Sequence, residues 1–146
     1  MATVERSMLI PYSNTQMYAL VADVESYPQF LPNCRGARVL KREGDTVCGE
    51  VDLNFKGIKQ SFSTCNLMVP NERIDMELLN GPFSQLSGGW TFEDLNRDGN
   101  QGSKVSLKLD YDFSSRVLAM ALGPVFGIFA NSLVDAFYQR ARSVYG

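Results

Sequence analysis

A chain of 146 residues, 45% hydrophobic and 21% charged, can bury one real core without metal or disulfide support. Its net charge of −2 argues against a general nucleic-acid binder, so no DNA partner is expected. Histidine is absent, which excludes Ser-His-Asp and Cys-His nucleophile systems and any histidine-ligated metal site.

Thr3 to Ile10 reads as a first strand. Ser13-Asn14-Thr15-Gln16 then matches a capping box, with Ser13 closing the helix start and Gln16 reaching back. Met17, Leu20, Val21 and Val24 follow at helical spacing and give a short amphipathic helix. Ser26 opens a second helical turn through Tyr27-Pro28-Gln29-Phe30-Leu31, which Pro32 closes.

From Arg35 the period changes. Val47, Val51, Leu53 and Phe55 alternate with Cys48, Glu50, Asp52 and Asn54, as in a strand with one buried face. Lys56-Gly57 marks a turn, Ile58 to Val69 is extended, and Pro70-Asn71 breaks it. Ile74, Met76 and Leu78 alternate next, up to the turn Asn80-Gly81-Pro82. Leu86, Gly88, Trp90 and Phe92 share a face, and Asn96 to Gly102 reads as a polar hairpin loop. Val105, Leu107, Leu109, Tyr111 and Phe113 form the cleanest alternation, which leaves Ser106, Lys108, Asp110 and Asp112 to water. Asp110 and Asp112 therefore make no carboxylate pair for acid-base work.

Ser114 or Ser115 can cap a last helix. Val117 to Val134 carries 18 residues without a charge and would span about 27 Å as a helix. That is the lower edge of a membrane span, but it is also the pattern of a helix buried almost all round. The preceding strands need a cover, and Gly123-Pro124, Asn131 and Ser132 suit a span poorly, so a soluble helix against a sheet is expected. Gly123-Pro124 either bends that helix along the sheet or opens a cavity mouth.

Cys34, Cys48 and Cys65 fit neither a disulfide framework nor a zinc motif. Free thiols in a reducing cytosol are expected. The N-terminus has no apolar run of signal-peptide length before Pro11. Residues 1–146 read as a single α+β domain with a meandering antiparallel sheet.

Several collinear blocks carry a resemblance over the whole length. They are Tyr27-Pro28-Gln29-Phe30-Leu31-Pro32, Phe55-Lys56-Gly57-Ile58, Arg73-Ile74-Asp75-Met76, Asn80-Gly81-Pro82-Phe83 and Gly89-Trp90-Thr91-Phe92. Phe113-Ser114-Ser115-Arg116, Leu122-Gly123-Pro124-Val125-Phe126 and Val134-Asp135-Ala136-Phe137 complete the set. The chain thus resembles the bacterial branch of the ubiquinone-binding START-like family, within the polyketide cyclase/START superfamily, a branch that includes ribosome association toxins.

The resemblance implies a helix-grip fold: a curved seven-stranded antiparallel sheet wrapped around a long C-terminal helix, with a lipid-sized cavity between them. It implies ubiquinone or a similar isoprenoid lipid as ligand and no covalent cofactor; the missing histidine and the lack of convergent acid-base groups leave no metal site and no catalytic residue, which disfavours a cyclase or other enzyme on the same fold. The resemblance also implies the large ribosomal subunit as an alternative partner. A cytoplasmic protein in transient contact with the inner membrane would fit both roles. Asn33 and the Asn131-Ser132 pair depart from the family pattern and could alter cavity shape or polarity.

For the cavity wall, the C-terminal helix offers Leu118, Leu122, Phe126, Phe129 and Leu133 at helical spacing. The sheet offers Phe55, Met76, Trp90, Phe92, Leu107 and Leu109. The proline-braced turn offers Tyr27, Phe30 and Leu31 as a lid. Arg35, Arg38, Lys41, Arg42, Lys56 and Lys59 could form a basic patch, although Glu43, Asp45, Glu50 and Asp52 favour a mixed, solvated surface.

Overall fold

A computed structural model describes residues 1–96 and 98–146. Of the polar hairpin loop, Arg97 lies outside the described residues. The chain runs β1 (Ala2–Ile10), α1 (Asn14–Ala22), a 3-10 turn (Val24–Gln29), β2 (Cys34–Glu43), β3 (Thr46–Phe55), β4 (Ile58–Val69), β5 (Arg73–Asn80), β6 (Phe83–Asp94), β7 (Ser103–Phe113) and α2 (Arg116–Tyr145). The seven strands form one antiparallel sheet in the order β1-β7-β6-β5-β4-β3-β2. This is the helix-grip α+β fold, with both short helices between the two edge strands.

The local signals act as expected. Ser13 Oγ accepts from the Gln16 amide at 3.1 Å, and Gln16 Oε1 accepts from the Ser13 amide at 2.9 Å. Ser115 caps α2 by accepting from the Leu118 amide at 3.1 Å. On β7, Val105, Leu107, Leu109 and Tyr111 are buried; on the opposite face Asp110 accepts from Thr3 Oγ1 at 2.7 Å. Asp112 meets the N-terminal ammonium at 3.3 Å.

The sheet can curl because β6, an interior strand, carries glycine. A Cβ on Gly88, whose φ is +141°, would lie 2.0 Å from the Lys108 carbonyl oxygen; one on Gly89 would lie 2.2 Å from that of Ile74. Backbone therefore approaches β6 closely from both neighbours, which only glycine allows. Register shifts in β2–β3, β4–β5 and β6–β7 add local bends.

Two expectations are corrected here. Cys48 and Cys65 are joined by a disulfide, and only Cys34 remains a free, buried thiol. The turn at Lys56-Gly57 pairs Phe55 with Ile58, and the same register sets Cys48 opposite Cys65. Spacing alone does not reveal this pairing; spacing combined with the turn does.

The second correction concerns α2. Its apolar run is not buried all round, because Val117, Met120 and Ile128 are 76%, 76% and 72% exposed. A sheet grips one side of a helix only. That side carries Leu122, Phe126, Phe129, Ala130, Val134, Phe137 and Ala141, all buried. Pro124 is exposed within the continuous helix.

Phe137 anchors the C-terminal half of α2. It is 1% exposed and meets the rings of Phe30, Trp90 and Tyr27 at 5.1, 5.3 and 5.5 Å between centroids. Phe137→Ala should cost about 3–5 kcal/mol through lost burial and a cavity that cannot collapse. Urea denaturation followed by circular dichroism measures this as a lower midpoint with an unchanged slope.

Candidate functional site

A single stretch of α2 and the inner sheet face leave a gap between them. The cavity has a volume of about 100 Å³. From the helix it is lined by Phe126, Phe129, Ala130, Leu133 and Phe137. From the sheet come Gly49, Val51 and Leu53 of β3, Phe62, Thr64 and Asn66 of β4, then Met76, Leu86, Trp90, Leu107 and Leu109. Val24, Tyr27, Leu31 and Cys34 close the side facing the 3-10 turn.

Nine of the residues expected at a cavity wall meet there: Tyr27, Leu31, Met76, Trp90, Leu107, Leu109, Phe126, Phe129 and Leu133. Five do not. Phe55 is buried against Phe129, 5.9 Å between ring centroids, and Phe92 packs on Tyr18 at 5.6 Å. Leu122 is buried a helical turn before the lining begins, and Leu118 sits half-buried near the helix start. Phe30 lies outside the cavity, between Phe137 and the Arg140 guanidinium, which stands 5.0 Å from its ring centre. Arg140 also donates to Gln29 Oε1 at 2.8 Å, so the Tyr27–Pro32 segment is fastened to α2.

Gly123 and Pro124 are not among the lining residues, so the proline does not form a cavity mouth. Asn131 and Ser132 also leave the cavity unaltered. Their side chains donate to the carbonyls of Gly127 and Phe129 at 2.9 and 2.7 Å, back along their own helix. Asn33 adopts φ +65°, a conformation asparagine tolerates well, and donates to the Asn54 carbonyl at 3.0 Å.

Four polar side chains interrupt the apolar lining. The Tyr27 hydroxyl donates to the Val21 carbonyl; burial, then the charges of Asp23 and Cys34, hold its pKa far above the usual phenol range. The Cys34 thiol donates to the Gly36 carbonyl at 3.4 Å. Burial pushes its pKa up, the Gly36 backbone as a donor to the sulfur opposes that, and nearby Asp52 adds to the rise. Thr64 and Asn66 follow each other on the inward face of β4, 7% and 9% exposed. The Asn66 Oδ1 atom is buried and receives no hydrogen bond from the protein.

Sequence reasoning passes over Gly49, Val51, Leu53, Leu86, Ala130 and Phe137 although each sits on an apolar face or beside one. Phe62, Thr64 and Asn66 carry a weaker signal, because both faces of β4 mix polar and apolar residues.

Outside the cavity, the cationic set divides. Arg38 pairs with Glu50 and Asp52, and Lys41 meets Glu43 at 2.8 Å. Arg38, and then Ser61, hold the Asp52 carboxyl below the usual carboxylate range. This is the mixed surface the acidic neighbours suggest. Arg35, Lys56 and Lys59 are exposed around the β3–β4 turn.

The comparisons with known proteins agree with this architecture. The family model described as "Polyketide cyclase / dehydrase and lipid transport" matches residues 10–138, and the chain belongs to that family. It is 41% identical to the ribosome association toxin RatA of Escherichia coli K12 over 145 residues, covering 99% of this chain and 90% of that protein. It is 28% identical to the mitochondrial coenzyme Q-binding protein COQ10 of Dictyostelium discoideum, covering 99% of this chain and 71% of that one. A START superfamily protein from Mycobacterium smegmatis superposes with a TM-score of 0.81 at 20% identity, covering 97% of this chain and 98% of that one. At that identity the likeness speaks for the fold alone.

A protonated, buried thiol reacts slowly with disulfide reagents. Ellman's reagent should therefore leave Cys34 largely unmodified in the native protein at pH 8 and titrate about one thiol after unfolding in guanidinium. Rapid stoichiometric labelling of the native protein would contradict the burial described here.

Proposed function

We propose that the protein binds ubiquinone or a similar isoprenoid lipid between its sheet and α2, shielding or delivering the quinone for respiration without catalysing a reaction. The observation that carries this reading is the apolar cavity enclosed by α2 and the inner sheet face. The relation to a protein named for coenzyme Q binding supports it. The lining has no acid-base pair poised for neutral pH: the Tyr27 hydroxyl is committed to Val21, the Cys34 thiol stays protonated, and Thr64 and Asn66 do not titrate. The family description also covers cyclases, and these residues supply no chemistry of that kind.

At about 100 Å³ the cavity is smaller than the 150 Å³ that admits benzene and well below the 300 Å³ and more of ordinary ligand pockets. Lipid entry must therefore widen it, by α2 moving off β3 and β4. The exposed Val117, Met120 and Ile128 on the outer side of α2 suit contact with an inner-membrane surface during that opening. Between contacts the protein would stay in the cytoplasm.

Trp90 is the only tryptophan and lines the cavity, so its fluorescence reports occupancy. Added short-tail ubiquinone should quench it saturably, and organic extraction of purified protein should release quinone detectable by mass spectrometry. Val51→Trp fills the cavity from β3 and should weaken uptake at least about tenfold, read by filter retention of labelled quinone, with circular dichroism unchanged. Protein that is empty as purified and takes up no added ubiquinone would sink the reading.

A second reading has its own support. The 41% identity to a ribosome association toxin across 99% of the chain favours binding to the large ribosomal subunit and blocking its joining to the small one. The exposed Arg35, Lys56 and Lys59 would face RNA, whose phosphates favour cations. Overproduction should then deplete intact ribosomes and enrich free subunits on a sucrose gradient, and Lys56→Glu with Lys59→Glu should reverse this. Unchanged ribosome peaks would exclude the second reading and leave the first intact.

A further inference from the structure

Asn66 is a buried polar group whose Oδ1 is reached by no donor among the described residues. Its neighbours across β3 and β5 on the inward face are Val47 and Met76, neither of which offers a hydrogen-bond donor. The side chain is 91% shielded from solvent, lines the cavity, and leaves Oδ1 without a hydrogen bond from the protein. An orphaned buried acceptor costs free energy unless something else pairs with it. From Asn66 we infer that the cavity selects a ligand whose head carries a hydroxyl, and that the quinol is preferred over the quinone.

An amide presents one accepting oxygen and a donating NH2 group. A quinone has only carbonyl and ether oxygens, so it can accept from the NH2 group but leaves the amide oxygen unpaired. A quinol hydroxyl donates to that oxygen and can accept as well. The structure places Oδ1 at the buried, unpaired position, so what that position lacks is a donor. A site of this kind discriminates strongly against the analogue lacking the hydroxyl, because the mismatch strands a buried group. Thr64, two residues along the same face, places a second hydroxyl on the wall. The inference rests on the lipid-binding reading and specifies which redox form is held.

The test compares a one-isoprene ubiquinone with its quinol, prepared beforehand and kept under argon, by equilibrium dialysis against wild type and Asn66→Leu. Wild type should bind the quinol about tenfold or more tighter than the quinone. Asn66→Leu should erase that difference, bind the quinone no more weakly than wild type does, and melt at no lower temperature, since it removes an unpaired amide. Equal affinities in wild type, or a preference that survives in Asn66→Leu, overturn the role given to Asn66 while leaving lipid binding in place. Failure of wild type to bind either form overturns the lipid-binding reading itself.

Discussion

The constraint on which the structure depends is a mismatch of widths. Seven strands at about 4.8 Å spacing make a sheet some 29 Å across, whereas one helix with its side chains is about 10–12 Å thick. A single helix cannot cover such a sheet if the sheet stays flat. Gly88 and Gly89, packed against backbone on both sides, let β6 follow a tight curl. The 3-10 turn packs on edge strand β2, and α1 covers part of the concave face against β6, β7 and α2. Even so, α2 touches the concave face mainly where its side chains are large.

Those large side chains sit at two levels of the helix. At the first, Phe126 meets Tyr111 at 4.9 Å and Phe83 at 5.1 Å. At the second, Phe137 meets Phe30 and Trp90. Between them α2 presents Ala130 and the half-buried Leu133, and β3 presents Gly49. Aromatic packing at both levels fixes the helix, and Ala130 facing Gly49 leaves space between them, beside Phe129 and Leu133. The cavity is thus a product of residue size along one helix face. Interiors generally tolerate few voids, which makes this one informative.

Where one face of a strand is uniformly apolar, its placement is legible in the sequence. β7 alternates without exception from Val105 to Tyr111, and every one of those inward residues is buried. Leu107, Leu109 and Trp90 reach the cavity for the same reason. Leu118 and Leu122 share the helical spacing of Phe126 but lie before the gap opens, and periodicity carries no information about where along a helix a gap falls. β4 is the harder case. Phe62, Thr64 and Asn66 face the cavity while Ser61, Cys65 and the buried Ser63 lie on the opposite face, so a period of two produces no contrast in hydropathy. The disulfide is hidden differently: Cys48 and Cys65 become partners only once the turn at Lys56-Gly57 fixes the register.

The outer side of α2 poses the opposite problem, apolar residues with nothing over them. An 18-residue window of the helix has a mean hydropathy of 1.9, yet only 28% of it is buried. Burying Val117, Met120 and Ile128 would be worth about 25 cal/mol for each Å² covered, and folding forgoes that gain. A gripped helix needs apolar residues on one side only, so the outward stripe is not required by the fold. The same stretch supplies Phe126 and Phe129 to the cavity wall. An apolar guest arriving from a membrane would meet the outer stripe first and the cavity second, both on a single helix. Under the proposed function, motion of this one element would connect surface contact with opening of the interior, which a cavity of this size requires of any lipid it holds.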